Sequence, residues 1–115
     1  MSEGCIFCRI IAGEIPGELV YRDDEMVAFR DINPVASTHL LLVPREHIGS
    51  VRDLRQEHEG LIGRMMLRAG QLAEEEGIAE GGYRLVINNG PDGGQIVPHL
   101  HLHLVGGRRL SDRIG

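Results

Sequence analysis

Apolar positions recur along the chain with two different periods, and the period separates helices from strands. Ile6, Phe7, Ile10 and Ile11 lie at helical spacing, which predicts a short helix over Ile6 to Ala12 that Gly13 and Pro16 bring to an end. Leu19 to Tyr21 and Met26 to Arg30 are β-prone runs joined by the polar turn Asp23-Asp24-Glu25, a hairpin pattern. Asn33-Pro34 then breaks the chain, and His39 to Val43 form a continuous apolar run bounded by Pro44, read as a central strand. Between Ser50 and Gly77 lies the one long helical pattern. Its stripe comprises Leu61, Ile62, Met65, Met66, Ala69, Leu72 and Ala73, and Gly77 suits its C-terminal cap. The helix starts either at a capping box, Ser50-x-x-Asp53, or after a separate turn ending near Leu54. Gly60, Gly63 and Gly70 weaken it, so they mark either close backbone packing or tolerated exposure.

Two further strands are expected, Tyr83 to Asn88 and His99 to Val105, separated by a loop rich in glycine from Gly90 to Gln95. The fold class is therefore α+β: about five antiparallel strands, one short helix and one long one. Strand alternation sends His99, His101 and His103 to one face and Leu100, Leu102 and Leu104 to the other.

With 115 residues and no repeat or linker, the chain reads as a single domain, residues 1–115. Seventeen acidic against twelve basic residues, a formal charge of −5, argue against a nucleic-acid binder, which needs a basic footprint. Every basic residue is Arg, which excludes lysine Schiff-base and P-loop chemistry. No apolar run reaches membrane-spanning length and the N-terminus lacks a signal-peptide pattern, so a cytoplasmic protein without a membrane partner is expected. In a reducing compartment Cys5 and Cys8 are a metal or redox pair more readily than a disulfide.

Three imidazoles on one sheet face are costly for a plain core, because each brings two nitrogens that need partners. They could be structural, could share a metal ion, or could do chemistry directly. A metal-dependent hydrolase of this kind normally adds a nearby carboxylate, and the intervening residues are all leucine. The catalytic-imidazole reading therefore leads.

The run His99-Leu-His-Leu-His-Leu-Val105 resembles the histidine triad family, defined by alternating histidines and apolar residues. The resemblance extends to Phe29 through Pro34, His39 through Pro44 with His47, Gly82 through Asn88, and Gly93-Gly94-Gln95, covering nearly all of Ile6 to Arg108. Gly106-Gly107-Arg108 points within the family to the branch of purine nucleoside phosphoramidases. The resemblance implies a homodimer in which two five-stranded sheets join into ten strands and the long helices meet.

For the site, the resemblance implies that His101 is the nucleophile, forming a nucleotidyl-imidazole that water hydrolyses. The carbonyl of His99 orients it, His103 protonates or orients the departing group, and His39 supports the triad from a neighbouring strand. Asp31 would accept both ribose hydroxyls. Asn88 and Gln95 would surround the ribose and α-phosphate, and Gly93 and Gly94 would bring backbone N–H groups to the phosphate. Phe7, Ile10, Phe29, Ile32 and Leu41 would enclose the base, though each suits ordinary core packing as well. His58 matches nothing in the family and reads as a solvated helix residue. Relatives commonly carry Ser or Thr after the Gly-Gln, where this chain has Ile96. Some relatives bind zinc through four positions matched here by Cys5, Cys8, His47 and His99, a closed structural set not needed for catalysis; the alternative is two reduced buried cysteines without an ion.

The expected function is hydrolysis at the α-phosphate of a purine nucleotide conjugate such as a nucleoside phosphoramidate. The alternatives are a dinucleoside polyphosphate hydrolase, a zinc-dependent hydrolase, and a nucleotide-binding or protein-interaction module with little turnover.

Overall fold

The structure is a computed structural model that describes residues 4–114. The expectation about an N-terminal leader falls partly on residues 1–3, outside the described residues. Helix α1 spans Ile6–Ile11, and the strands are β1 (Leu19–Arg22), β2 (Met26–Arg30), β3 (Thr38–Pro44), β4 (Tyr83–Val86) and β5 (Leu102–Gly106), with the long helix α2 at Glu59–Glu75. The five strands form one sheet in the order β1-β2-β3-β5-β4, antiparallel at every pairing. No helix among the described residues is long and apolar enough to cross a membrane.

The sheet is covered on both faces, which is why β3 is buried along its whole length. On one face α2 lays Leu61, Met65, Ala69, Leu72 and Ala73 against Met26, Ala28, Leu40, Leu42, Leu100, Leu102 and Leu104. On the other, α1 packs Phe7 with Val27, Phe29, Leu41 and Val43. Burial of these side chains, each contributing roughly 1.5–3 kcal/mol, is what holds the two helices to the sheet. Gly77, at φ +78°, ends α2 in a left-handed conformation that costs a glycine nothing.

The long helical region divides where the sequence left its start open. A 3-10 turn at Val51–Asp53 and another at Gln56–His58 precede α2, so the helix begins only at Glu59. His58 is consequently not a solvated helix residue. It is 7% exposed, its Nδ1 accepts the N–H of Arg55 at 2.8 Å, and its Nε2–H faces Glu46 Oε2 at 3.2 Å. The apolar stripe is also narrower than expected. Met66, at its outer edge, is 45% exposed. Gly60 and Gly63 face outwards, with no backbone near the position of a Cβ. Strand β4 stops at Val86, short of Asn88, and β5 starts at Leu102, three residues after His99.

Candidate active site

The triad enters the sheet from an irregular approach. Leu100 donates its N–H to Ile48 O at 2.6 Å, outside the ladder, and pairing with β3 begins at Leu42–Leu102. Alternation nonetheless persists. Leu100 joins the α2-side core, while His99 and His101 lie buried beside the α1-side cluster and His103 is half-buried on the same side.

His101 Nδ1 lies 2.7 Å from the carbonyl oxygen of His99. A carbonyl only accepts, so Nδ1 carries a proton, and in the neutral ring the lone pair is on Nε2. The edge of Phe7 packs against the ring, with centroids 5.0 Å apart. His101 and His103 form one side of a cavity of about 280 Å³ whose walls include Phe7, Ile10, Phe29, Leu41 and Asp31. Ile32 and Ile96 stand at its rim, 87% and 90% exposed.

Beside the cavity, Asp31, His39 and His103 form a connected trio. His39 Nδ1 accepts the N–H of Val35 at 3.2 Å, which places the proton of its neutral ring on Nε2. That Nε2–H meets His103 Nδ1 at 3.0 Å and Asp31 Oδ2 at 3.4 Å. Donation to His103 Nδ1 leaves His103 with its own proton on Nε2. Two histidines and a carboxylate could hold a metal ion. Here the Val35 amide occupies the outer nitrogen of His39, so the inner nitrogen is protonated and is no ligand. Burial, reinforced by His101 and His39, pushes the His103 pKa down to about 4, and burial lowers that of His39 against the pull of Asp31. Both rings are neutral near pH 7.

The second cluster has the opposite proton arrangement. His99 donates Nε2–H to Pro44 O at 2.8 Å and aims its Nδ1 lone pair at Cys5 Sγ, 3.3 Å away, and Cys8 Sγ, 3.4 Å away. His47 Nδ1 lies 3.2 Å from Cys8 Sγ. The four donor atoms fall within 4.8 Å of one another. Tetrahedral zinc with bonds of about 2.3 Å to sulfur and 2.0–2.1 Å to nitrogen requires N···S edges of about 3.6 Å, so the donor set suits that ion. The outer N–H bond from His99 to Pro44 is the kind of contact that fixes a metal-binding tautomer.

The glycine loop is built differently from the cavity wall. Asn88 Nδ2 donates to Gly93 O at 2.7 Å. Gln95 engages backbone at both ends of its amide, accepting from Gly90 N–H at 2.9 Å and donating to Gly49 O at 2.7 Å and Val97 O at 3.0 Å. A Cβ at Gly93 would collide with the Asn89 carbonyl oxygen, and Gly94 has φ +83°. The loop's path thus requires both glycines.

Sequence reasoning did not assign Ile6, Pro16, Gly17, Arg30, Asn33 or Val97 to the site, and these also line the cavity. Gly17 had a signal as the break after α1, and a Cβ there would meet Ile10 Cγ2 at 2.8 Å. The Val35 amide had none, since every residue offers one.

Residues 4–113 match the family model described as "Scavenger mRNA decapping enzyme C-term binding". The chain belongs to the histidine triad family. It is 53% identical to the purine nucleoside phosphoramidase of Escherichia coli K12 over 111 residues, 96% of this chain and 93% of that one. A histidine triad family hydrolase from Legionella pneumophila superposes with a TM-score of 0.94 at 47% identity, over 96% of this chain and 99% of the other. A zinc-bound family member from Mycobacterium smegmatis gives 0.80 at 30% identity, over 100% of this chain and 82% of the other.

Proposed function

We propose that this histidine triad protein is a nucleotide hydrolase that cleaves purine nucleoside phosphoramidates, or related nucleotidyl conjugates, at the α-phosphate through a covalent intermediate on His101. The observation that carries the reading is the 2.7 Å contact of His101 Nδ1 with His99 O, which leaves the Nε2 lone pair available beside the cavity. The name of the Escherichia coli relative supports the substrate class.

In the first step Nε2 attacks phosphorus, the Nε2–P bond forms and the P–N bond to the amine breaks, the amine taking a proton from water in the open cavity. His103 is neutral, so its Nε2–H orients a phosphoryl oxygen or the leaving nitrogen by hydrogen bonding. In the second step water attacks phosphorus, the Nε2–P bond breaks, and the nucleoside monophosphate leaves as its proton passes to solvent. Asp31 holds the ribose hydroxyls and the apolar walls hold the base; Asn88, Gly93 and Gly94, which lie outside the cavity lining, are assigned to the phosphate side, and Gln95, its amide spent on backbone, shapes their loop. His39 keeps His103 in its productive tautomer.

Cys5, Cys8, His47 and His99 would hold a structural zinc ion that ties α1 to the sheet, a reading supported by the donor geometry and the zinc-bound Mycobacterium smegmatis relative. The thiols it needs stay reduced in the cytoplasm, where we place the protein. The exposed Met66 and Leu67 on α2 support pairing of two copies into a dimer, with sedimentation analysis as its check.

Mass spectrometry of protein quenched during turnover of an adenosine phosphoramidate tests the mechanism. An adenylyl group on His101 is expected. Turnover with no histidine adduct under rapid quench would exclude the covalent route, and binding without turnover would favour a nucleotide-binding module.

A further inference from the structure

Asp31 lines the cavity with His39 behind it, in contact with Asp31 and His103, whereas the residues immediately before them, Arg30 at the cavity edge and Thr38, send their side chains to Glu76. Arg30 closes β2 and Thr38 opens β3, where the register pairs Arg30 with Leu40. Just past that pairing the N–H of Asp31 donates to His39 O at 2.9 Å, so Asp31 and His39 share one strand junction. Alternation directs Arg30 and Thr38 to the α2 face.

On that face a single carboxylate meets both. Glu76, the C-cap of α2, accepts two parallel hydrogen bonds from Arg30, Nη1 to Oε1 and Nη2 to Oε2, each 2.9 Å. Thr38 Oγ1 donates to the same Oε1 at 3.3 Å. Glu18 adds a more exposed contact to Arg30 Nε at 3.1 Å.

The placement of Glu76 is otherwise unfavourable. A helix C-terminus carries partial negative charge and favours a cation, yet the chain ends α2 on three glutamates. Glu74 and Glu75 are exposed, and only Glu76 is turned in, its side chain 19% exposed. The Arg30 guanidinium offsets the cost and holds the Glu76 carboxyl below its ordinary pKa. A planar fork of this kind fixes direction as well as distance.

We propose that Glu76 is a positioning residue for the nucleotide site, bracing the β2–β3 junction through Arg30 and Thr38 so that the Asp31 carboxylate is held where it meets the ribose diol. The inference rests on the assignment of Asp31 to the ribose. Glu76 itself does not line the cavity; it acts from the reverse face of the sheet.

The test compares binding of adenosine monophosphate and its 2′,3′-dideoxy analogue by calorimetry, in the wild type, in Glu76→Gln and independently in Arg30→Gln. Glu76→Gln keeps the shape of the side chain and removes the charge. It should weaken adenosine monophosphate by about fivefold to tenfold, on the scale of one charge-assisted hydrogen bond, and leave the dideoxy analogue within about twofold. Arg30→Gln should show the same asymmetry. A general structural defect would weaken both nucleotides alike, and that result overturns the proposal, as does unchanged binding in both variants. Equal affinity of the wild type for the two nucleotides would overturn the ribose assignment and the inference with it. A wild type that distinguishes them but does not turn over phosphoramidates would refute the hydrolase reading and leave the brace standing.

Discussion

His39 Nε2 lies 3.0 Å from His103 Nδ1, and because the Val35 amide occupies the far side of His39, this contact sets which nitrogen of His103 bears its proton. His101 and His103 thus carry their protons on different nitrogens. His101 has its proton turned away from substrate and His103 has its proton available on Nε2.

Replacement of His101 by Asn or Gly should abolish hydrolysis of adenosine phosphoramidates while binding of adenosine monophosphate stays within a few-fold of wild type. In the proposed mechanism the ring supplies the attacking lone pair, whereas base and ribose are assigned to Phe7, Phe29, Leu41 and Asp31 of the cavity wall. Steady-state kinetics with calorimetry on the same preparations decide it. Substantial turnover by either variant means that another atom attacks phosphorus.

Ile96→Ser should raise turnover without changing stability. The side chain is 90% exposed at the cavity rim, so its removal should alter unfolding free energy by no more than about 0.5 kcal/mol. A hydroxyl there could donate to phosphate or leaving group. A rate equal to or below wild type would show that no missing hydroxyl limits the reaction.

Metal analysis should find roughly one zinc per chain, bound with all four positions filled by protein. Cys5→Ser with Cys8→Ser should lose the metal and lower Tm but retain at least part of the phosphoramidase activity, since no open coordination position is needed. Wild type that purifies without zinc and gains no stability from added zinc contradicts the assignment.

Stability should fall on mild acidification. His103 has a folded pKa of about 4, below its unfolded value near 6.5, so folding favours the neutral ring. The resulting stability is fully present above about pH 6.5 and is lost as pH falls through the window toward 4, the complete loss amounting to roughly 3 kcal/mol for this group. His39, also lowered by burial, acts in the same direction. Denaturant midpoints measured from about pH 7 to about pH 5 should decline, and more shallowly in His103→Gln. An equal slope in that variant would place the effect on other groups.

Much of this was legible in the sequence because two-residue alternation survives the loss of hydrogen-bonded pairing. Leu100 packs against α2 and His101 turns to the cavity although neither belongs to the β5 ladder. Strand limits were less legible, since the Leu100 amide is taken by Ile48, far away in sequence. His58 was misplaced because the two 3-10 turns shift its phase relative to α2 and turn it inward to Glu46. The cysteine spacing marks two members of the Cys/His cluster, but only the fold brings His47 and His99 to them. Glu76 was hidden in a run of three glutamates whose outer members give no reason to single it out.

The contact that orients His101 is made by the main chain of His99, while the side chain of His99 belongs to the Cys/His cluster. Mutation can therefore act on these duties separately. Any codon at position 99 still encodes a carbonyl, so the acceptor for His101 Nδ1 is immune to side-chain change as long as the backbone keeps its path. Replacing Cys5, Cys8 or the ring at position 99 would leave the orienting atom in place. Side-chain identity at position 99 governs the Cys/His cluster, and the backbone path governs the orientation of His101.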